Sequence, residues 1–246
     1  MSATARRVTF PAADDGPLLE GILHFPDGPG PFPTAVVCPA HPMYGGTMGD
    51  DPLPNIIKSL CHELAAQCWI ALRFNFRGAG RSEGTFDNGH GEQNDVGGAL
   101  DFVCIQEGVN ENRIAIMGYS FGAWVGLQHA VRDHRAKYLV GVAPPGDIWK
   151  KDPEDPKDKK YSDPFLDAEL RPKLFVAGEH DHYAPSDLLR EYVTRLKPPK
   201  ILHFIPGKTH FFSESREREE VESEYSEVAT LIVNLLNQLC EYGTQQ

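Results

Sequence analysis

The chain has 246 residues, 41% hydrophobic and 24% charged, the composition of a folded globular protein rather than a disordered or fibrous one. Its 24 basic and 35 acidic side chains leave a formal net charge of −11, so a nucleic acid or an anionic membrane surface meets net repulsion. No stretch reaches the roughly 20 apolar residues that span a bilayer.

The N-terminal stretch MSATARRVTFPAADDG has no apolar core behind Arg6-Arg7, which argues against a secretory signal. Five dispersed cysteines (Cys38, Cys61, Cys68, Cys104, Cys240) lack CxxC spacing. They predict reduced thiols in a cytoplasmic setting and give a structural zinc site no support. The length suits one domain over residues 1–246 with a full core. Oligomeric state is not legible.

In chain order, Val8–Phe10 and Leu18–Phe25 read as an antiparallel pair around the turn Asp14-Asp15-Gly16-Pro17. Apolar runs follow at Thr34–Cys38, Ile70–Phe74, Arg113–Met117, Tyr138–Val142, Lys173–Ala177 and Ile201–Ile205. Such unbroken runs suit central parallel strands covered on both faces. Helical patterns lie between them: Pro54–Gln67, Gln93–Gln106, Phe121–Val131, Ser186–Arg195 and Ser215–Cys240. The last carries a stripe of Val221, Tyr225, Val228, Ile232, Leu235 and Leu239. The alternation predicts an α/β fold with one doubly wound, mostly parallel sheet. One segment departs from it: Asp147–Asp163 is rich in Lys, Asp and Pro and reads as a solvated excursion. A short lid-like insert at about 147–171 is the expected exception to the pattern.

Gly118-Tyr119-Ser120-Phe121-Gly122 follows an apolar strand and opens an apolar helix. A serine hydroxyl is a weak nucleophile and must be presented to a base on a sharp strand-to-helix turn. Glycine is needed on both flanks because a Cβ there would clash. The helix start then aims the Phe121 N–H at developing negative charge. The serine needs a histidine, and the histidine a carboxylate. Asp181 stands just after one strand and His210 just after the next, the edge where open α/β sheets build their sites. Ser120, Asp181 and His210 are therefore the candidate catalytic residues. His180, His182 and His203 are rivals for the base; Glu179, Asp187 and Asp147 are rivals for the carboxylate, and Asp181 could serve only its turn. A second oxyanion donor is expected from the loop Pro39–Gly46. Pro42 has no N–H, so Met43 is the first candidate and Tyr44 the next. His41 reads as a brace for that loop.

These pieces resemble the α/β-hydrolase superfamily, and within it small esterases and dienelactone-hydrolase-like or serine-aminopeptidase-like proteins. The matching segments are HPMYGG, LRFNFRGAGRSEG, GEQND, GYSFG, GEHDHYAP and PGKTHFF, in order from residue 41 to 212. The resemblance implies acyl transfer to water by Ser120, His210 and Asp181, with Phe121 and Met43 amides at the oxyanion, on a small-molecule acyl substrate. It implies no metal and no organic cofactor. Arg77 reads as a structural ion pair, and His41-Pro42 stands where the superfamily often has His-Gly. Met43, Tyr44, Phe121, Trp149, Tyr183 and Phe211 are the pocket candidates. An ester or thioester leads; an amide, a non-hydrolytic reaction on the same scaffold and a binding protein with an idle site remain open.

Overall fold

A computed structural model describes residues 4–146 and 165–243. Eight strands form one sheet in the order β1-β2-β4-β3-β5-β6-β7-β8. They are β1 Thr4–Pro11, β2 Leu18–Phe25, β3 Phe32–Cys38, β4 Ile70–Phe74, β5 Val109–Tyr119, β6 Tyr138–Val142, β7 Lys173–Gly178 and β8 Lys200–Ile205. β1 pairs antiparallel with β2 and β2 with β4; β4, β3, β5, β6, β7 and β8 run parallel. This is the expected doubly wound sheet.

Five helices cover it: α1 Ile56–Ala66, α2 His90–Cys104, α3 Phe121–Arg132, α4 Ser186–Arg195 and α5 Arg218–Gly243. The strands alternate between two cores with period two. Val36, Cys38, Ile114 and Ile116 face α2, α3 and α4, while Ala35, Val37, Ala115 and Met117 face α1 and α5. That two-sided burial is why the parallel strands read as unbroken apolar runs.

Boundaries differ where side chains settle them. Asn55 Oδ1 accepts the Ile57 and Lys58 amides, so α1 begins at Ile56 rather than Pro54. The Glu92 carboxylate accepts from the Asp87 and Gly89 amides and starts α2 at His90. β5 extends back to Val109 because Val109 pairs with Phe32 across an irregularity in register. On α5 Ala229, Ile232, Val233, Leu236 and Leu239 are fully buried, while Leu235 of the expected stripe is only partly covered.

Residues 147–164, including Asp147 and Trp149, lie outside the described residues. The remainder of the expected insert is tied down rather than excursive. Leu166 is fully buried, and the Arg171 guanidinium donates to the carbonyls of Ala130, Asp133 and Ala136. All five cysteines are free. Among the described residues no helix is long and apolar enough to cross a membrane.

Arg73 on β4 is a buried cation that forms no salt bridge among the described residues. Its Nε donates to His24 Nε2 at 3.0 Å, and Nη1 donates to the carbonyls of Met48 (2.5 Å) and Gly49 (2.6 Å). It thereby anchors the loop that leads from β3 to α1. The accepting His24 must be neutral, and burial together with the Arg73 charge pushes its pKa down to about 3. Unfolding restores an ordinary imidazole, so this stability is complete above about pH 6.5 and is lost progressively toward pH 3. His24→Gln keeps an acceptor without the titration. Wild-type thermal unfolding is expected to weaken between pH 6.5 and 4 by on the order of 2–3 kcal/mol more than the variant. Parallel pH profiles for the two proteins would contradict this.

Candidate active site

The loops that leave β3 and β5 diverge at a topological switch point. From β3 the chain turns through α1 to β4 on one side. From β4 it crosses through α2 to β5 on the other. Open α/β sheets bind ligands in the crevice outside the carboxyl ends of such strands. Ser120 follows β5 and the Pro39–Gly46 loop follows β3, while Asp181 and His210 follow β7 and β8.

Ser120 has φ 53° and ψ −122°, an unfavourable backbone for a residue with a Cβ. Its N–H donates to the Val142 carbonyl at 2.9 Å, and its carbonyl accepts the Ala123 amide at 2.8 Å. The flanking glycines are required by space. A Cβ on Gly118 would lie 2.1 Å from the Gly122 carbonyl oxygen, and one on Gly122 would lie 2.3 Å from that of Pro39. The turn is thus wedged between α3 and the end of β3.

Ser120 Oγ lies 3.0 Å from His210 Nε2, and His210 Nδ1 lies 2.8 Å from Asp181 Oδ2. An ionised carboxylate only accepts, so Nδ1 carries the ring proton and Nε2 is the acceptor for the serine hydroxyl. Asp181 and His210 are both buried. The other Asp181 oxygen accepts the amides of Tyr183 (2.8 Å) and Ala184 (2.9 Å). Turn-forming and histidine-orienting contacts therefore belong to one side chain. The described rivals are placed differently: His180, His182 and Asp187 are exposed, His203 is on the edge strand β8, and Glu179 accepts the Gly207 amide.

Tyr119, given no role by the sequence, supports the histidine from behind. Its hydroxyl donates to the His210 carbonyl at 3.0 Å, and its ring stacks on the imidazole with centroids 5.6 Å apart. Burial pushes this phenol far above its ordinary range, so it remains a donor. Only its place before Ser120 could have drawn attention to it.

The β3 loop is less open than expected. The Met43 amide lies 3.2 Å from His41 Nδ1 and is donated to it. The amides of Tyr44 and Gly46 are donated to the His41 carbonyl, and that of Gly45 to Pro42. Met43 itself is exposed and does not line the cavity. His41 does brace the loop: its ring sits 4.6 Å from Phe121, 4.7 Å from Phe86 and 4.8 Å from Tyr44. Burial lowers its pKa, which suits the acceptor role of Nδ1. Tyr44, Phe121, Tyr183 and Phe211 all line a cavity of about 820 Å³ over Ser120, joined by Phe86, Trp124 and Tyr225, which the sequence did not single out. Arg77 lies outside that lining and forms a two-pronged ion pair with buried Asp95.

Comparison with known proteins places this geometry in a family. The model of the dienelactone hydrolase family matches residues 87–240, and that of the X-Pro dipeptidyl-peptidase (S15) family matches residues 15–152. The uncharacterized protein RP471 of Rickettsia prowazekii (strain Madrid E) is 32% identical over 185 residues, covering 73% of this chain and 72% of that protein. An alpha-beta serine hydrolase homologue from Coxiella burnetii superposes with a TM-score of 0.71 at 25% identity, covering 92% of this chain and 95% of the other. ATU1826 of Agrobacterium tumefaciens, a protein of unknown function, superposes with a TM-score of 0.71 at 28% identity, covering 95% and 97%. The chain belongs to the α/β-hydrolase superfamily, within its dienelactone hydrolase family.

Proposed function

We propose that the protein hydrolyses a carboxylic ester or thioester through a serine-bound acyl intermediate. The observation that carries this reading is the unbroken hydrogen-bonded series from Ser120 through His210 to Asp181, at 3.0 and 2.8 Å. Ser120 Oγ attacks the carbonyl carbon while His210 Nε2 takes its proton. Asp181 holds the Nδ1 proton and stabilises the imidazolium. The tetrahedral oxyanion is met by the Phe121 N–H at the start of α3.

Collapse then expels the leaving oxygen or sulfur with the proton from Nε2. Water attacks the acyl-enzyme, His210 takes its proton, and Ser120 leaves with that proton as the acid departs. Tyr119 acts as a positioning residue, fixing the His210 backbone rather than touching substrate. An ester is favoured over a dipeptide because, among the described residues lining the cavity, no carboxylate is available to hold a substrate α-amino group.

An activated serine reacts with a fluorophosphonate probe. Wild-type protein is expected to be labelled and Ser120→Ala not; an unlabelled wild type would contradict the proposal. Asp181→Asn keeps an oxygen for the Tyr183 and Ala184 amides but destroys the tautomer control. Its kcat on an activated ester should fall by about 10³–10⁴, with thermal stability near wild type. Tyr119→Phe removes one hydrogen bond to the His210 backbone. It should lower kcat about tenfold with KM within about twofold. A change confined to KM would assign Tyr119 to substrate contact instead.

A further inference from the structure

The cavity over Ser120 has a composition that hydrolysis as such does not require. Although 24% of the chain is charged, among the described residues none that lines this cavity is Lys, Arg, Asp or Glu. Its polar groups are amides, hydroxyls and two imidazoles. One of these, His41, already accepts the Met43 amide through Nδ1, so it offers no cation there. Behind the reacting centre the Asp181 carboxylate sits on His210.

The chemistry divides this lining into two sides. His210 Nε2 must reach the leaving atom, so the leaving group lies toward Tyr183 and Phe211, whose rings are 4.8 and 5.4 Å from the imidazole. The carbonyl oxygen points to the Phe121 amide. The wall of His41, Phe86, Phe121 and Trp124 is one of the surfaces left for the acyl group. Those rings pack tilted against one another, with Phe121 centroids 5.8 Å from Phe86 and 5.6 Å from Trp124.

Resting on the Ser120 reading above, we infer that the site takes esters with an uncharged acyl group and rejects acyl groups that carry a carboxylate. A carboxylate moved from water against this lining loses its hydration and meets no Lys or Arg among the described residues that form it. Asp181 and the net charge of −11 add repulsion. A cationic acyl group is not favoured either. No described residue lining the cavity is an Asp or Glu that could receive it.

The test compares p-nitrophenyl hexanoate with mono-p-nitrophenyl glutarate, which differ chiefly by a terminal carboxylate. The expected kcat/KM ratio is about a hundredfold in favour of the neutral ester, equivalent to about 2.7 kcal/mol. It should persist in 1 M NaCl, where long-range repulsion is screened within about 3 Å. A ratio below tenfold, or one that collapses in salt, overturns the inference, as does faster turnover of a trimethylammonium-bearing ester. Tyr44 is 88% exposed at the cavity rim, so Tyr44→Arg adds a cation without disturbing the core. It should narrow the ratio about fivefold; an unchanged ratio would count against charge as the cause.

Failure of the hydrolytic reading is separable. If a neutral phosphonate does not label Ser120, that reading fails and the inference with it. If Ser120 is labelled but neither ester turns over, labelling rates with neutral and carboxylate-bearing phosphonates are compared against the same tenfold criterion.

Discussion

The backbone at Ser120, φ 53° and ψ −122°, costs a residue with a side chain about 1–3 kcal/mol, and the surrounding fold is arranged to hold it there. The turn can exist only where β5 ends between β3 and β6. Val142 takes the Ser120 amide, and glycines at 118 and 122 admit α3 against the carbonyls of Cys38 and Pro39. What the strain achieves is exposure. Ser120 and Phe121 both line the cavity, at the point where α3 begins.

Once the serine is fixed, the remaining groups must reach it from distant parts of the chain, and the parallel sheet delivers them. Consecutive strands β7 and β8 end on the same edge, so Asp181 and His210 arrive side by side although 29 residues separate them. Asp181 uses one oxygen for its own turn and the other for the imidazole. The carboxylate is thereby positioned before it has any histidine to orient. Tyr119 closes the arrangement from the strand that carries the nucleophile, joining β5 to the loop after β8 by a buried hydrogen bond. The Arg73 anchor on the Met48–Gly49 segment does comparable work for the chain leaving β3.

Much of this was legible in the sequence. The central parallel strands announced themselves because each is buried on both faces, whereas β8 at the edge is only partly covered. The triad candidates stood out because the turn, the carboxylate and the histidine each follow an apolar run. Other features depend on contacts between residues far apart. Tyr119 and His210 are 91 positions apart, and no periodicity links a phenol to a backbone carbonyl. The early part of β5 is polar, Val109-Asn-Glu-Asn-Arg113, and becomes strand only through its partner Phe32. Met43 was chosen because its neighbour lacks an N–H. Loop spacing could not reveal that His41 would take that amide for itself. Phe86 and Trp124 carry no motif that marks a pocket, and only their convergence on His41 and Phe121 makes them a wall of the cavity.

The central claim is covalent: an acyl group passes through the oxygen of Ser120. The most direct measurement is acid-quenched mass spectrometry of the protein during turnover of an activated ester, with the adduct mapped to a peptide. The account predicts one acyl mass per chain on the peptide containing Ser120, formed together with a stoichiometric burst of released alcohol. Turnover with no adduct, or with the acyl group on a different residue, would contradict it.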